Sequence, residues 1–158
     1  MTTLPAAAAR VQAAAEALGL AVEVRIMPDS TRTAAEAAVA CGCAVGQIVK
    51  SLVFRGKSSG RPILLLVSGV NRVDEKGVAA VLGEPLTRPD AEFVRAATGF
   101  AIGGIPPLGH ATPVATWIDA DLLQYVTVWA AAGTPNAVFA VNPVKLGEAV
   151  GATTIRVT

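Results

Sequence analysis

Aromatic side chains are scarce in this chain: four Phe, two Trp and one Tyr among 158 residues. With few large rings to fill gaps, its helices must close tightly on the surface they cover, and alanine supplies much of the apolar share. Charge of one sign is lacking too. Thirteen Lys and Arg face twelve Asp and Glu, a formal +1. That balance excludes coating nucleic acid or an anionic membrane through bulk charge, while leaving room for a small basic site. Long apolar runs are also missing. Despite a mean hydropathy of +0.53, no stretch approaches the ~18–20 uninterrupted residues of a membrane span. The first nineteen residues carry no basic segment ahead of an apolar one, so a secretory leader is not expected. The two cysteines, Cys41 and Cys43, stand one residue apart and cannot form a framework disulfide with each other. With a single histidine, His110, they do not complete a zinc set. Reduced thiols in a cytoplasmic protein, with no metal and no cofactor, are the expectation.

What is present is enough apolar residue, 53 %, to exclude disorder and to build a core. The length suits one domain over residues 1–158. Pro5 to Leu18 reads as a helix closed by Gly19. Val22, Val24 and Ile26 alternate with charged residues as a half-buried strand. Thr33-Ala-Ala-Glu36 is a capping box opening a helix to Cys41, with Gly42 behind it. Ile48 to Arg55 and Pro62 to Ser68 are apolar strands joined by a Gly-containing turn, an expected hairpin. Asp74 and Asp90 cap two further helices that end before Gly83 and Gly99. Strands are then expected at Phe100 to Ile102, Val114 to Ile118, Tyr125 to Trp129, Ala137 to Val141 and Ile155 to Val157. Asn142-Pro143 starts a last helix to Val150. Seven or eight strands and five helices without βαβ regularity point to a mixed α+β domain with a mainly antiparallel sheet flanked by helices.

Few residues invite chemistry. Lys50 shares a strand face with Ile48, Leu52 and Phe54, so its ammonium must reach solvent, pair, or line a cleft where it meets an anion. Ser51 lies on the opposite face, where a hydrogen-bonded hydroxyl is the ordinary outcome. Gly103-Gly-Ile-Pro-Pro-Leu-Gly109 is a loop whose paired glycines allow close backbone approach to a ligand. It is neither a Walker loop nor a dinucleotide fingerprint. No Gly-x-Ser-x-Gly elbow accompanies His110, so a serine triad is not expected, and a loop-tying imidazole is the plainer reading. Asp119 and Asp121, two apart at a strand end, read as capping or loop residues rather than an acid–base pair.

Val49-Lys-Ser-Leu-Val-Phe54, Val67-Ser-Gly-x-Asn-Arg-Val-Asp74 and Thr98-Gly-Phe-Ala-Ile-Gly-Gly-Ile-Pro-Pro-Leu-Gly109 stand in an order that resembles the YbaK/EbsC family. That family is the aminoacyl-tRNA deacylase domain also inserted in bacterial prolyl-tRNA synthetases. The likeness runs from the strand at Val22 to the end of the chain. It implies a mixed α/β domain with a curved, barrel-like sheet, and trans-editing as the activity: hydrolysis of the ester joining a wrong, small amino acid (Cys, Ala, Ser or Thr) to the 3′ CCA end of a tRNA, such as tRNA-Pro. It further implies that Lys50 handles the tRNA 3′ end, while Gly103 and Gly104 hold the aminoacyl carbonyl and terminal ribose. Ser51, Ile105, Pro106, His110, Ala131 and Gly133 follow as substrate-binding positions. A positioned water, helped by the ribose 2′-hydroxyl or the amino acid's own side chain, is the implied nucleophile, and a synthetase is a possible partner. Pro106-Pro107 stands where members acting on Cys-tRNA often have Ser-Pro, and Ala130-Ala-Ala132 where they have polar residues. The alternatives are a non-catalytic module binding a tRNA end or a synthetase, and a small-molecule hydrolase built on His110.

Overall fold

A computed structural model describes residues 3–158. The elements follow the order α1 (Ala6–Ala17), β1 (Arg25–Ile26), α2 (Ala34–Cys41), β2 (Ile48–Gly56), β3 (Pro62–Ser68), α3 (Glu75–Leu82), β4 (Leu86–Thr87), α4 (Ala91–Thr98), β5 (Ala115–Asp119), β6 (Val128–Ala131), β7 (Ala137–Val141), α5 (Pro143–Val150) and β8 (Thr153–Ile155). Short 3-10 turns at Val45–Gln47 and Ala120–Gln124 complete it. The helix starts obey local chemistry. Thr33 and Glu36 close a reciprocal capping box, and the side chains of Asp74, Asp90 and Asn142 accept from the third residue of their helices, satisfying amides that have no intrahelical partner.

The strands form one mixed sheet in the order β1-β7-β6-β2-β3-β5-β8, with β4 also on β2. β1–β7, β2–β3, β2–β4 and β6–β7 run antiparallel. β2–β6, β3–β5 and β5–β8 run parallel. Antiparallel pairs are thus the majority by four to three. The barrel-like expectation is corrected in one respect: the sheet is open, because β1 and β8 end the order and do not meet. Strands of two and three residues offer too little ladder to close a cylinder.

Every residue from Ile63 to Val67 is buried, because both faces of β3 are covered. Leu64 and Leu66 face a core shared with Val11 of α1, Phe139 of β7 and Leu146 of α5. Ile63, Leu65 and Val67 face a second core with Phe54 and Val78 of α3. Ile48 and Trp129 pack with Ala37 and Ala38 of α2 in a third, smaller cluster.

Four sequence expectations shift. The last strand, expected at Ile155 to Val157, lies at Thr153–Ile155, the residues that pair with β5. Phe100 to Ile102 is not a strand; Phe100 is buried in the first core while Ile102 stands exposed in an irregular loop. The strand expected at Tyr125 to Trp129 begins three residues later, since 120–124 coil into a 3-10 turn. The strand expected from Val22 shrinks to Arg25–Ile26, the only part that reaches β7.

Candidate active site

The site begins with a gap in the sheet. β3 occupies one edge of β2 from Val49 to Arg55. The other edge is shared by β6, at Ile48 and Val49, and β4, at Arg55 and Gly56. Between them, residues 50–54 have no strand neighbour on that side. The Gly69 amide donates to the Ile48 carbonyl and the Gly56 amide to the Arg61 carbonyl, so even-numbered residues of β2 turn their main-chain groups toward β3. Strand alternation then turns those of Ser51 and Val53 toward the open edge.

Two cavities meet at this gap. One, of about 550 Å³, is lined by Phe54, Arg72, Val73, Arg88 and Val94 among others. The other, of about 330 Å³, is lined by Thr31, Ala37, Gly103, Gly104, Trp129 and Ala131 among others. Lys50, Ser51, Leu52, Ile102 and Ile105 belong to both and form their shared wall. Lys50 therefore takes the cleft alternative rather than a free solvent-facing edge. Its Nζ donates to the main-chain oxygen of Asn71. Partial burial, and then the Arg72 guanidinium nearby, hold its pKa below the usual 10.5, while Asp119 acts the other way.

On the same cavity as Lys50, Gly103 adopts φ +106°, a conformation that side-chain-bearing residues rarely take. Gly104 is glycine for another reason. A Cβ there would lie 2.7 Å from the Thr134 nitrogen and 2.9 Å from the Gly133 carbonyl carbon. The Gly133 amide donates to the Gly104 carbonyl at 2.8 Å, tying the loop to the β6–β7 turn. Among the described residues, none of the amides of residues 102–105 donates to a backbone carbonyl. All four residues line the smaller cavity, so these are unspent donors on its wall.

The structure brings Lys50, Ser51, Gly103, Gly104, Ile105 and Ala131 onto one cavity. Ser51 departs from its expected hydrogen-bonded state: its Oγ is buried without a partner. Gly133 supports the loop from behind and is not a lining residue. Pro106 and His110 also lie outside both linings. His110 Nε2 sits 2.7 Å from the Pro106 carbonyl; a carbonyl only accepts, so this nitrogen carries the proton. Burial lowers the pKa of His110 below 6.5, against the raising effect of that bond. The imidazole fastens the loop to itself. Cys41 and Cys43 are free thiols, and burial first, then Cys43 beside it, pushes Cys41 up to about 11.

Asn71 was missed as a participant. Its motif was visible in the sequence, but its role depends on Asp119 and Asp121, which arrive from β5 and the turn after it. Asp119 caps the turn, its Oδ1 accepting from the Asp121 amide at 2.9 Å, and Asp121 lies within that turn. Arg72 and Arg88 were likewise unmarked, because nothing in a scattered set of basic residues shows which ones a fold will gather. Among the described residues, no three His, Cys, Asp or Glu side chains gather as a ligand set, and no helix is long and apolar enough to cross a membrane.

A mixed sheet that sets a lysine and a glycine loop on one cavity belongs here to a family of editing domains. Residues 28–148 match the family model of the aminoacyl-tRNA editing domain, and the chain belongs to that family. It is 49 % identical, with a TM-score of 0.92, to a solved structure of a candidate trans-editing enzyme for prolyl tRNA synthetase, covering 99 % of both chains. A scaffold used in computational grafting of linear epitopes is 47 % identical, also with a TM-score of 0.92, over 98 % of this chain and 99 % of that one. The uncharacterized protein YwhH of Bacillus subtilis (strain 168) is 31 % identical over 119 residues, 75 % of each chain.

Proposed function

We propose that this editing domain is a trans-editing deacylase, acting as one unit in the cytoplasm on a tRNA that carries a wrong, small amino acid. The observation that carries this reading is the shared wall: Lys50 borders both cavities together with Ile102 and Ile105, while Gly103 and Gly104 between them line the smaller one. An aminoacyl ester has two unlike halves, and two joined cavities suit it. The smaller cavity, with Ala130, Ala131 and Gly104 on its wall, takes the amino-acid side chain. The larger, which Arg72 and Arg88 border, takes the terminal nucleotide and its phosphates. Lys50 then sits beside the junction, where its charge meets the 3′-terminal phosphate.

The chemistry needs little from the protein beyond placement. Water attacks the ester carbonyl carbon, and the developing oxyanion takes hydrogen bonds from amides of the 102–105 loop, which have no backbone acceptor of their own. The bond to the ribose oxygen breaks and that oxygen takes a proton, leaving free amino acid and a tRNA 3′-terminal hydroxyl. The neighbouring ribose 2′-hydroxyl or the substrate's own side chain steers the water. Selection by size explains the need for the step, since a synthetase pocket gains only ~10–200-fold from one methylene. Near-zero net charge suits a protein that grips only the CCA end, with affinity raised when a synthetase delivers the substrate.

The test is deacylation of tRNAs charged with Ala, Ser, Thr, Cys or Pro, with tRNA-Pro and non-cognate tRNAs in parallel. Release of one or two small amino acids well above spontaneous hydrolysis is expected. Binding of the charged tRNA with no acceleration for any ester would replace the deacylase by a non-catalytic tRNA-end module.

A further inference from the structure

Asp119 is the one acidic or basic side chain buried among the described residues, 1 % exposed. A carboxylate at such depth is costly unless its oxygens are fully engaged. They are. Oδ2 accepts from the Ser68 amide at 3.0 Å and from Asn71 Nδ2 at 2.8 Å, while Oδ1 accepts from the Asp121 amide at 2.9 Å. The same Asn71 Nδ2 donates to Asp121 Oδ2 at 2.7 Å. An amide nitrogen has two hydrogens, and both are spent here, one on each carboxylate. Serine has a single donor, aspartate has none when ionised, and glutamine would set the amide one methylene too far.

We propose that Asn71 is a positioning residue for Lys50. Two carboxylates clamp its side chain so that its main-chain oxygen, and not a carboxylate, receives the ammonium. The clamp rests on β5 and the turn that follows it, and Lys50 rests on β2, so the device joins two distant segments behind the cavity wall. It also explains why Lys50 has no ion-pair partner among the described residues although Asp119 is close enough to influence its pKa. A direct pair would neutralise the charge and fix the side chain on the protein. A neutral carbonyl takes one N–H and leaves two, with the full charge, for the substrate. The inference rests on the reading of Lys50 as a substrate contact only in its consequence, not in its geometry.

The experiment therefore has two arms. In the first, wild type and Asn71→Ala are treated with a limiting amine-acetylating reagent, and modification at Lys50 is measured by mass spectrometry against Lys57 and Lys145. Release of the ammonium should speed Lys50 labelling several-fold, with the other two unchanged. Asp121→Ala, which removes one hold only, should give a smaller rise, and Asp121→Asn, whose amide oxygen still accepts, should restore the wild-type rate. In the second arm, kcat/KM for deacylation is measured in a cycle with Lys50→Ala. Asn71→Ala should cost roughly tenfold alone and add nothing once Lys50 is gone. Unchanged Lys50 labelling in the folded variants, or losses that add in the cycle, would overturn the proposal. If the wild type has no deacylase activity, the labelling arm still decides the clamp, and the failure belongs to the functional reading.

Discussion

The Gly133 amide donates to the Gly104 carbonyl at 2.8 Å, and a Cβ on Gly104 would stand 2.9 Å from the Gly133 carbonyl carbon. Gly104 can lie this close to the Gly133–Thr134 backbone only because it lacks a side chain. Gly133 is itself held from the far side, since a Cβ there would meet the Ala7 carbonyl oxygen at 2.9 Å. The 102–105 loop is therefore braced through the β6–β7 turn against the start of α1.

This brace separates the two loop glycines by experiment. Gly104→Ala must push backbone apart, so it should lower the thermal midpoint and also reduce the deacylation rate per folded molecule. Gly103→Ala meets only the Arg32 side chain at 3.4 Å, and its cost is the strained φ, about 1–3 kcal/mol of stability. Thermal melts together with rates normalised to folded protein make the check. A Gly104→Ala protein that melts early but turns over at the wild-type rate would take the brace out of the active site.

Lys50→Ala should leave the circular dichroism spectrum unchanged and cut kcat/KM sharply. A charge-assisted contact to phosphate accounts for about 1.5–3 kcal/mol, and more follows if the ester is misplaced. Since partial burial disfavours the charged form of Lys50, its removal should not lower the melting temperature. Near-normal turnover would reject the assignment of Lys50.

His110 gives a pH signature in stability rather than in rate. Its folded pKa lies below 6.5, so between the two values the unfolded chain binds more protons than the folded one. Stability should then be intact at neutral pH and fall as pH drops through about 6.5 toward the folded pKa. His110→Gln should flatten that part of the melting-temperature profile. Its deacylation rate should fall only modestly, with no step near pH ~6.5; a loss of ~10²–10⁴-fold would mark a general base instead.

Ala131 lies on β6 and lines the smaller cavity with Trp129 and Ala130, and Ala130 also packs in the first core. Ala131→Leu should narrow the cavity and penalise larger aminoacyl groups most. The ratio of kcat/KM for alanyl to threonyl esters on one tRNA should rise, since a methylene is worth about 1–3 kcal/mol in such a pocket. An equal loss on both esters would place Ala131 outside amino-acid selection.

Local chemistry was legible in the sequence and long-range geometry was not. Thr33, Asp74, Asp90 and Asn142 announce helix starts because a cap depends on residues three positions away. Ala137 to Val141 reads as a strand because its side chains are continuously apolar. Phe100 to Ile102 misled because its apolar residues serve two ends, one buried in the core and one exposed at the cavity mouth. Lys50 and the Gly-Gly loop stood out as a cation among apolar neighbours and a backbone without side chains. The clamp on Asn71, the gathering of Arg72 and Arg88, and the contact between Gly104 and Gly133 depend on strand order, which no local pattern encodes.

The parallel pairing of β2 with β6 has a kinetic consequence. The β2–β3 hairpin closes over a short turn and brings Lys50 to Asn71 early, from neighbouring parts of the chain. The 128–141 segment must travel past α3, α4 and β5 before it can dock at Ile48 and Val49, and β1 cannot pair until β7 is in place. Loop closure over such distances is slow. The side of the cleft that carries Lys50 is thus expected to assemble while the side that carries Ala131 is still open, so that the smaller cavity of a newly made chain closes only after Lys50 is in place.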